Sequence, residues 1–121
     1  MRTIAVIGFS PNKERPSNFV SKYMEKQGYE IIPVNPNHLF IENKKCFSTL
    51  KDIEKKIDIV NIFRKPEYVL PIVEHAIKLK VKAIWMQDNV WHKEAARIAD
   101  EAGLLVVMND CLMRRHIKES E

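Results

Sequence analysis

The sequence predicts an α/β domain: a doubly wound parallel sheet of five strands, in the order 3-2-1-4-5, with helices on both faces. Two observations predict it. Short apolar, β-branched runs alternate with amphipathic helical stretches along the chain, as successive β-α-β units require. The strand runs are apolar on both faces, so each must be covered on both sides. Right-handed crossovers leave few topologies. In the order given, the switch point falls between the first and fourth strands. The loops at Gly8 and Met86-Gln87 then face each other across one crevice.

Each element has its own signal. Ile4-Ala5-Val6-Ile7 is the first strand. Phe19, Val20, Tyr23 and Met24 share one face of the first helix, and Gly28 stands where a helix-terminating glycine belongs. Residues 29–34 form the second strand, stopped by Asn35-Pro36-Asn37. Residues 38–48 show no clear periodicity, and Asn43-Lys44-Lys45 reads as an exposed turn. Leu50, Ile53 and Ile57 suggest a short helix that starts near Ser48 or Thr49.

Residues 57–63 form the third strand, broken by Arg64-Lys65-Pro66-Glu67. Val69, Ile72, Val73, Ala76 and Ile77 mark the next helix. Pro71 fits only in a first turn, which places the start near Tyr68. Residues 81–86 are the fourth strand, with Gln87-Asp88-Asn89-Val90 as its exit loop. Ala95, Ala96, Ile98, Ala99 and Ala102 give another helix, closed by Gly103. Residues 104–108 are the fifth strand, and residues 114–121 read as a polar tail.

At 121 residues the chain makes one domain, residues 1–121, with a sizeable core. No apolar run approaches the roughly 20 residues of a membrane helix. The first strand begins almost at the N-terminus, so no signal peptide is expected and the cytoplasm is the expected compartment. The net charge of +4 is not gathered into one tract. It does not call for nucleic acid, and it suits a small polyanionic ligand. Cys46 and Cys111 form no C-x-x-C pair and no metal-ligand spacing.

The organising stretch runs from Gly8 to Ser17. It joins the first strand to the first helix, where open α/β sheets hold phosphates. Gly8 permits a tight turn, Ser17 is placed to cap the helix, and Lys13 and Arg15 add charge. The stretch is not the dinucleotide fingerprint, because Ser10 and Lys13 stand where its second and third glycines belong. An ordinary strand-to-helix connection remains the alternative. The second strand ends in Asn35-Pro36 and lacks the acid that grips an unphosphorylated ribose.

Catalytic constellations are thin. The chain has no G-x-S-x-G, no H-E-x-x-H and no P-loop, and its four histidines are scattered. A Cys111–His116 nucleophile–base pair is a minor alternative. Asp88 and Asp110 read as a loop cap and a turn residue.

Taken together, several blocks carry a resemblance. They are Gly8-Phe9-Ser10-Pro11-Asn12 with Arg15-Pro16-Ser17, Pro33-Val34-Asn35-Pro36, Phe63-Arg64, Trp85-Met86-Gln87, and Val107-Met108 with Cys111. Over nearly the whole chain, and in the same order, this resembles the small stand-alone CoA-binding proteins. These are relatives of the N-terminal domain of the succinyl-CoA synthetase α subunit. The resemblance implies a Rossmann-like fold that binds coenzyme A or an acyl-CoA at the switch point. It implies that Gly8, Phe9 and Ser10 approach the phosphates, with Arg15 and Ser17 close by. Val34, Asn35 and Pro36 would border the adenosine end, Phe63 and Arg64 the nucleotide, and Met86 and Gln87 the pantetheine.

The fourth loop departs from the family, reading Asp88-Asn89 where Leu-Gly is usual. Asn89 can hold a left-handed turn, but Asp88 sets a negative charge near the expected ligand. His92 is a poorer helix cap than the usual Asn.

The expected function is non-catalytic binding of CoA or an acyl-CoA, as carrier, sensor or partner subunit. Two alternatives stay open. One is a small acyl-CoA- or nucleotide-dependent enzyme using Cys111 or Asp88. The other is a protein-interaction module with a vestigial crevice. Neither membrane nor nucleic acid is an expected partner, and the sequence does not fix the oligomeric state.

Overall fold

The computed structural model describes residues 2–121. Five parallel strands form the central sheet: β1 (Thr3–Ile7), β2 (Glu30–Val34), β5 (Ile59–Ile62), β6 (Ala83–Met86) and β7 (Leu105–Val107). A two-stranded hairpin, β3 (Phe40–Ile41) and β4 (Lys44–Lys45), lies between β2 and β5. The helices are α1 (Pro16–Lys26), α2 (Val69–Lys78), α3 (Lys93–Glu101) and α4 (Leu112–Glu119). No helix is long and apolar enough to cross a membrane.

Alternation along β1 divides the core. Ile4 and Val6 pack with Val20 and Met24 of α1 and Leu112 of α4. Ala5 and Ile7 pack with Val73 and Ala76 of α2 and Ala95 and Ala99 of α3. One helix pair therefore covers each face, as a doubly wound sheet requires.

The strand order is β2-β1-β5-β6-β7. In sheet-strand numbers this is 2-1-3-4-5, which corrects the expected 3-2-1-4-5. Pro33 supplies the physical reason. Its carbonyl points outward and accepts the Phe47 N–H at 3.0 Å, so its missing N–H also lies on the outer side of β2. A proline is tolerated there only on an edge strand. Phe47 continues along that edge, its carbonyl oxygen accepting the Asn35 N–H at 2.9 Å. No third strand can join on that side, and β5 pairs with the other side of β1, Ile4 against Ile59 through Ile7 against Ile62. The switch point therefore lies between β1 and β5, and the Gly8 loop faces Phe63-Arg64.

Two further segments differ from the sequence reading. Residues 38–48 contain the hairpin, turned by Glu42 and Asn43, both left-handed at φ 50° and 67°. Two successive left-handed residues make the tight turn that suits a two-residue hairpin loop. The supposed polar tail is α4. It is anchored by the buried Leu112 and by His116, whose Nδ1 lies 2.8 Å from the Tyr23 hydroxyl on α1.

Candidate functional site

The site forms where β1 stops. Gly8 is left-handed at φ 88°, and a Cβ added there would lie 2.5 Å from the Phe63 carbonyl oxygen. The end of β5 thus presses directly on the turn. Gly8 N–H donates to the Val34 carbonyl (2.9 Å), which closes the β1–β2 ladder.

Beyond Gly8 the loop is tied down by its own side chains. Ser17 does not cap α1, contrary to expectation. Pro16 opens the helix and Arg15 occupies the cap position without a side-chain bond. Ser17 reaches back instead, and its Oγ accepts the Ser10 N–H at 2.9 Å. The Ser10 hydroxyl accepts the Asn12 N–H, and Asn12 Oδ1 accepts the Glu14 N–H. The Ser17 N–H at the helix start meets no acceptor among the described residues. Such first-turn donors are suited to an anion.

Two residues that the sequence reading missed hold this loop from behind. Asn18 is fully buried; its Nδ2 donates to the Ser10 carbonyl (2.8 Å) and to Glu42 Oε2 (3.0 Å). Glu42 also pairs with Lys22 at 3.0 Å. Burial opposes ionisation of Glu42, but the Asn18 and Lys22 hydrogen bonds prevail and lower its pKa. Asn35 ties in the second loop: its Nδ2 donates to the Phe9 carbonyl (2.9 Å), and its Oδ1 accepts the Asn37 N–H.

Three cavities open at this end of the sheet. A 420 Å³ groove is lined by Gly8, Ser10, Arg15, Ser17, Phe63 and Asp88, among others. Beside it, sharing Pro16, Phe63 and Asp88, lies a 530 Å³ cavity reaching Gln87, Cys111 and the inner side of α4. A 290 Å³ cavity on the opposite side is lined by Val34, Pro36, Arg64 and Tyr68. There the Arg64 guanidinium stacks 4.5 Å from the Tyr68 ring centre.

The structure thus gathers Gly8, Ser10, Arg15, Ser17 and Phe63 around one groove, Phe63 and Gln87 around the adjoining cavity, and Val34, Pro36 and Arg64 around a third. Phe9 and Met86 are buried in the core and offer no exposed side chain. Lys13 is exposed on the loop, and neither it nor Arg15 makes an ion pair among the described residues.

Asp88 does not stand as a lone charge. Arg114 of α4 holds it with two bonds, Nη2 to Oδ1 at 2.8 Å and Nη1 to Oδ2 at 3.0 Å. The Arg114 hydrogen bond keeps the Asp88 carboxyl below the usual range. Arg114 also meets Asp110 at 3.0 Å. Next to it, Asn89 adopts the expected left-handed turn at φ 68°, and its N–H donates to Asn109 Oδ1 at 2.7 Å. His92 does cap α3, its Nδ1 accepting the Ala95 N–H at 3.1 Å.

These features define a doubly wound α/β protein with a built, partly cationic depression at its switch point. The family model for the CoA binding domain matches residues 2–117, and the chain belongs to that family. It is 38% identical over 115 residues to the uncharacterized protein YneT of Bacillus subtilis, covering 95% of this chain and 85% of that one. A hypothetical protein of Pyrococcus horikoshii superposes with a TM-score of 0.93 at 42% identity, over 98% of this chain and 83% of that one. A weaker likeness, 29% over 84 residues, links it to the ADP-forming 4-hydroxybutyrate–CoA ligase of Nitrosopumilus maritimus. That match covers 69% of this chain and 12% of the ligase.

Proposed function

We propose that the chain acts as a single CoA-binding domain. It holds coenzyme A or an acyl-CoA at the switch point without chemistry of its own, as carrier, sensor or partner subunit. The observation that carries this reading is the Gly8–Ser17 turn. A left-handed glycine lies against the end of β5, and among the described residues the N–H at the helix start and the Arg15 guanidinium beside it have no partner. A pyrophosphate fits that donor set.

In this reading Gly8, Ser10, Ser17 and Arg15 hold the phosphates, with Lys13 adding charge from the loop. Phe63 borders the nucleotide. Val34, Asn35, Pro36 and Arg64 surround the adenosine end, where β2 ends without an acid and Arg64 stands with Glu67 in the cavity wall. Gln87 meets the pantetheine arm, while Phe9 and Met86 support the loops from the core. Pairing with Arg114 offsets the Asp88 charge, so the unusual fourth loop is compatible with an anionic ligand.

A native mass spectrum of the protein purified without added ligand tests the reading, together with turnover assays on an acyl-CoA panel. Retained or added CoA at one per chain, with no turnover, is the expected result. Turnover would make the chain an enzyme. Failure to bind any CoA species would overturn the reading.

A further inference from the structure

The cavity beside the phosphate-facing groove has a chemistry that phosphate binding does not use. Its walls are largely apolar: Phe19 and Val20 of α1, and Met113 and Ile117 of α4. Gln87, Asn89, Cys111 and the Asp88–Arg114 ion pair interrupt them. Gln87 is 3% exposed, and its Nε2 donates to Asn61 Oδ1 at 2.9 Å. Its Oε1 receives no hydrogen bond from the described residues. That oxygen is not sealed off (Asn18 Oδ1 is the enclosed side-chain atom without a partner among the described residues), so it keeps access to the cavity, where a ligand N–H can reach it. A channel with apolar walls on α1 and α4 and an amide oxygen open to it suits a pantetheine arm, which is mostly methylene and carries amide N–H groups.

Cys111 is the sulfur in that channel. It is a free thiol, as buried as Cys46 (7% against 6% exposed), and what sets it apart is that it lines the cavity. Its N–H donates to Asp110 Oδ1 (2.8 Å), and the Asp110 carbonyl accepts Trp85 Nε1–H (2.8 Å). The other cysteine is an internal control. Cys46 lines none of the cavities described here, and its Sγ donates to the Asn35 carbonyl at 3.4 Å.

We propose that Cys111 forms a mixed disulfide with the sulfur of a pantetheine thiol lying in the cavity between α1 and α4. The inference rests on the CoA reading above. The co-reactant is the oxidised, disulfide form of that thiol. Cys111 loses its proton to solvent, and its sulfur attacks the nearer ligand sulfur. A Cys111–S–S–ligand bond forms as the ligand's own S–S bond breaks. The expelled thiolate takes the electron pair and then a proton, and excess free thiol reverses the exchange.

The test incubates the reduced 121-residue chain with CoA disulfide and, separately, with oxidised glutathione, followed by intact-mass measurement and peptide mapping. S-methyl-CoA, which cannot exchange, serves both as a blocker and as a calorimetric ligand. The expected result is one CoA per chain, mapped to Cys111 and released by dithiothreitol. The adduct should form at least about tenfold faster than the glutathione adduct and be suppressed by S-methyl-CoA. Modification at Cys46, equal rates for the two disulfides, or no adduct while S-methyl-CoA binds would overturn the inference and leave the CoA reading standing. If S-methyl-CoA does not bind, both fall.

Discussion

The two ends of the central sheet handle polar groups in opposite ways. At the N-terminal end, Asp58 is almost completely satisfied. Its Oδ2 accepts the buried Thr3 N–H at 2.8 Å and its Oδ1 meets Lys82 at 3.4 Å. Its own backbone bonds to Thr3, Lys82 and Ala83, linking the starts of β1, β5 and β6. At the C-terminal end, Ser17 N–H, Gln87 Oε1 and the Arg15 guanidinium have no partner among the described residues. The first end spends its polar groups on holding strands together. The second keeps them available, and is stiffened from behind by Asn18, Asn35 and Arg114. Polar residues at a sheet end are therefore informative only when their partners are counted.

The open end is most sensitive at Gly8. Gly8→Val puts a branched side chain at a left-handed position and against the Phe63 carbonyl. We expect loss of CoA binding and destabilisation by roughly 3 kcal/mol or more, read by titration and by denaturant unfolding. Unchanged affinity would make the loop a mere connector.

Asp58→Ala probes the opposite end. It strands the buried Thr3 N–H, at a cost of about 1–3 kcal/mol, and should leave CoA affinity unchanged. A change in affinity would show that the two ends are not separate. The pH dependence has a definite sign. The Thr3 N–H bond, opposed by burial and aided by Lys82, lowers the Asp58 pKa from its ordinary 3.8. Its stabilisation is fully present above that ordinary value and is lost as pH falls through the lower folded value. Asp58→Asn should therefore differ most from the parent at neutral pH, and the two unfolding curves should converge in acid.

The smallest expected effect is at the Asp88–Arg114 pair. Arg114→Ala frees a carboxylate beside the groove and should weaken CoA binding about threefold to tenfold, less so at high salt. Adding Asp88→Asn should recover the loss. If the double variant stays weak, Arg114 touches the ligand itself.

Much of this was legible in the sequence. Apolar runs located every strand of the central sheet, and Gly8 and Asn89 are left-handed as their residue types suggested. Pro33 already marked β2 as an edge strand, a signal that a topology with strand 2 in the interior ignores. Other features were not legible locally. The apolar content of α4 is only Leu112, Met113 and Ile117, and part of its docking is a polar contact to Tyr23 on a distant helix. The hairpin strands hold two residues each, too few to show a period. The site's electrostatics changed most: Asp88 looks repulsive in sequence, and only folding brings Arg114 to it across 26 positions.

A site for CoA at the open end of the sheet, recognised through its phosphates, must rank nucleotides by the phosphates they carry. Calorimetry with CoA, dephospho-CoA and NAD at one fixed salt concentration tests it most directly. A charge-assisted phosphate contact contributes roughly 1.5–3 kcal/mol, or on the order of tenfold to a hundredfold in affinity. We expect affinity to fall in the order CoA, dephospho-CoA, NAD, with Arg15→Ala or Arg64→Ala erasing the gap between the first two. NAD binding as tightly as CoA would contradict the assignment of the site, and dephospho-CoA matching CoA would contradict recognition through the ribose phosphate.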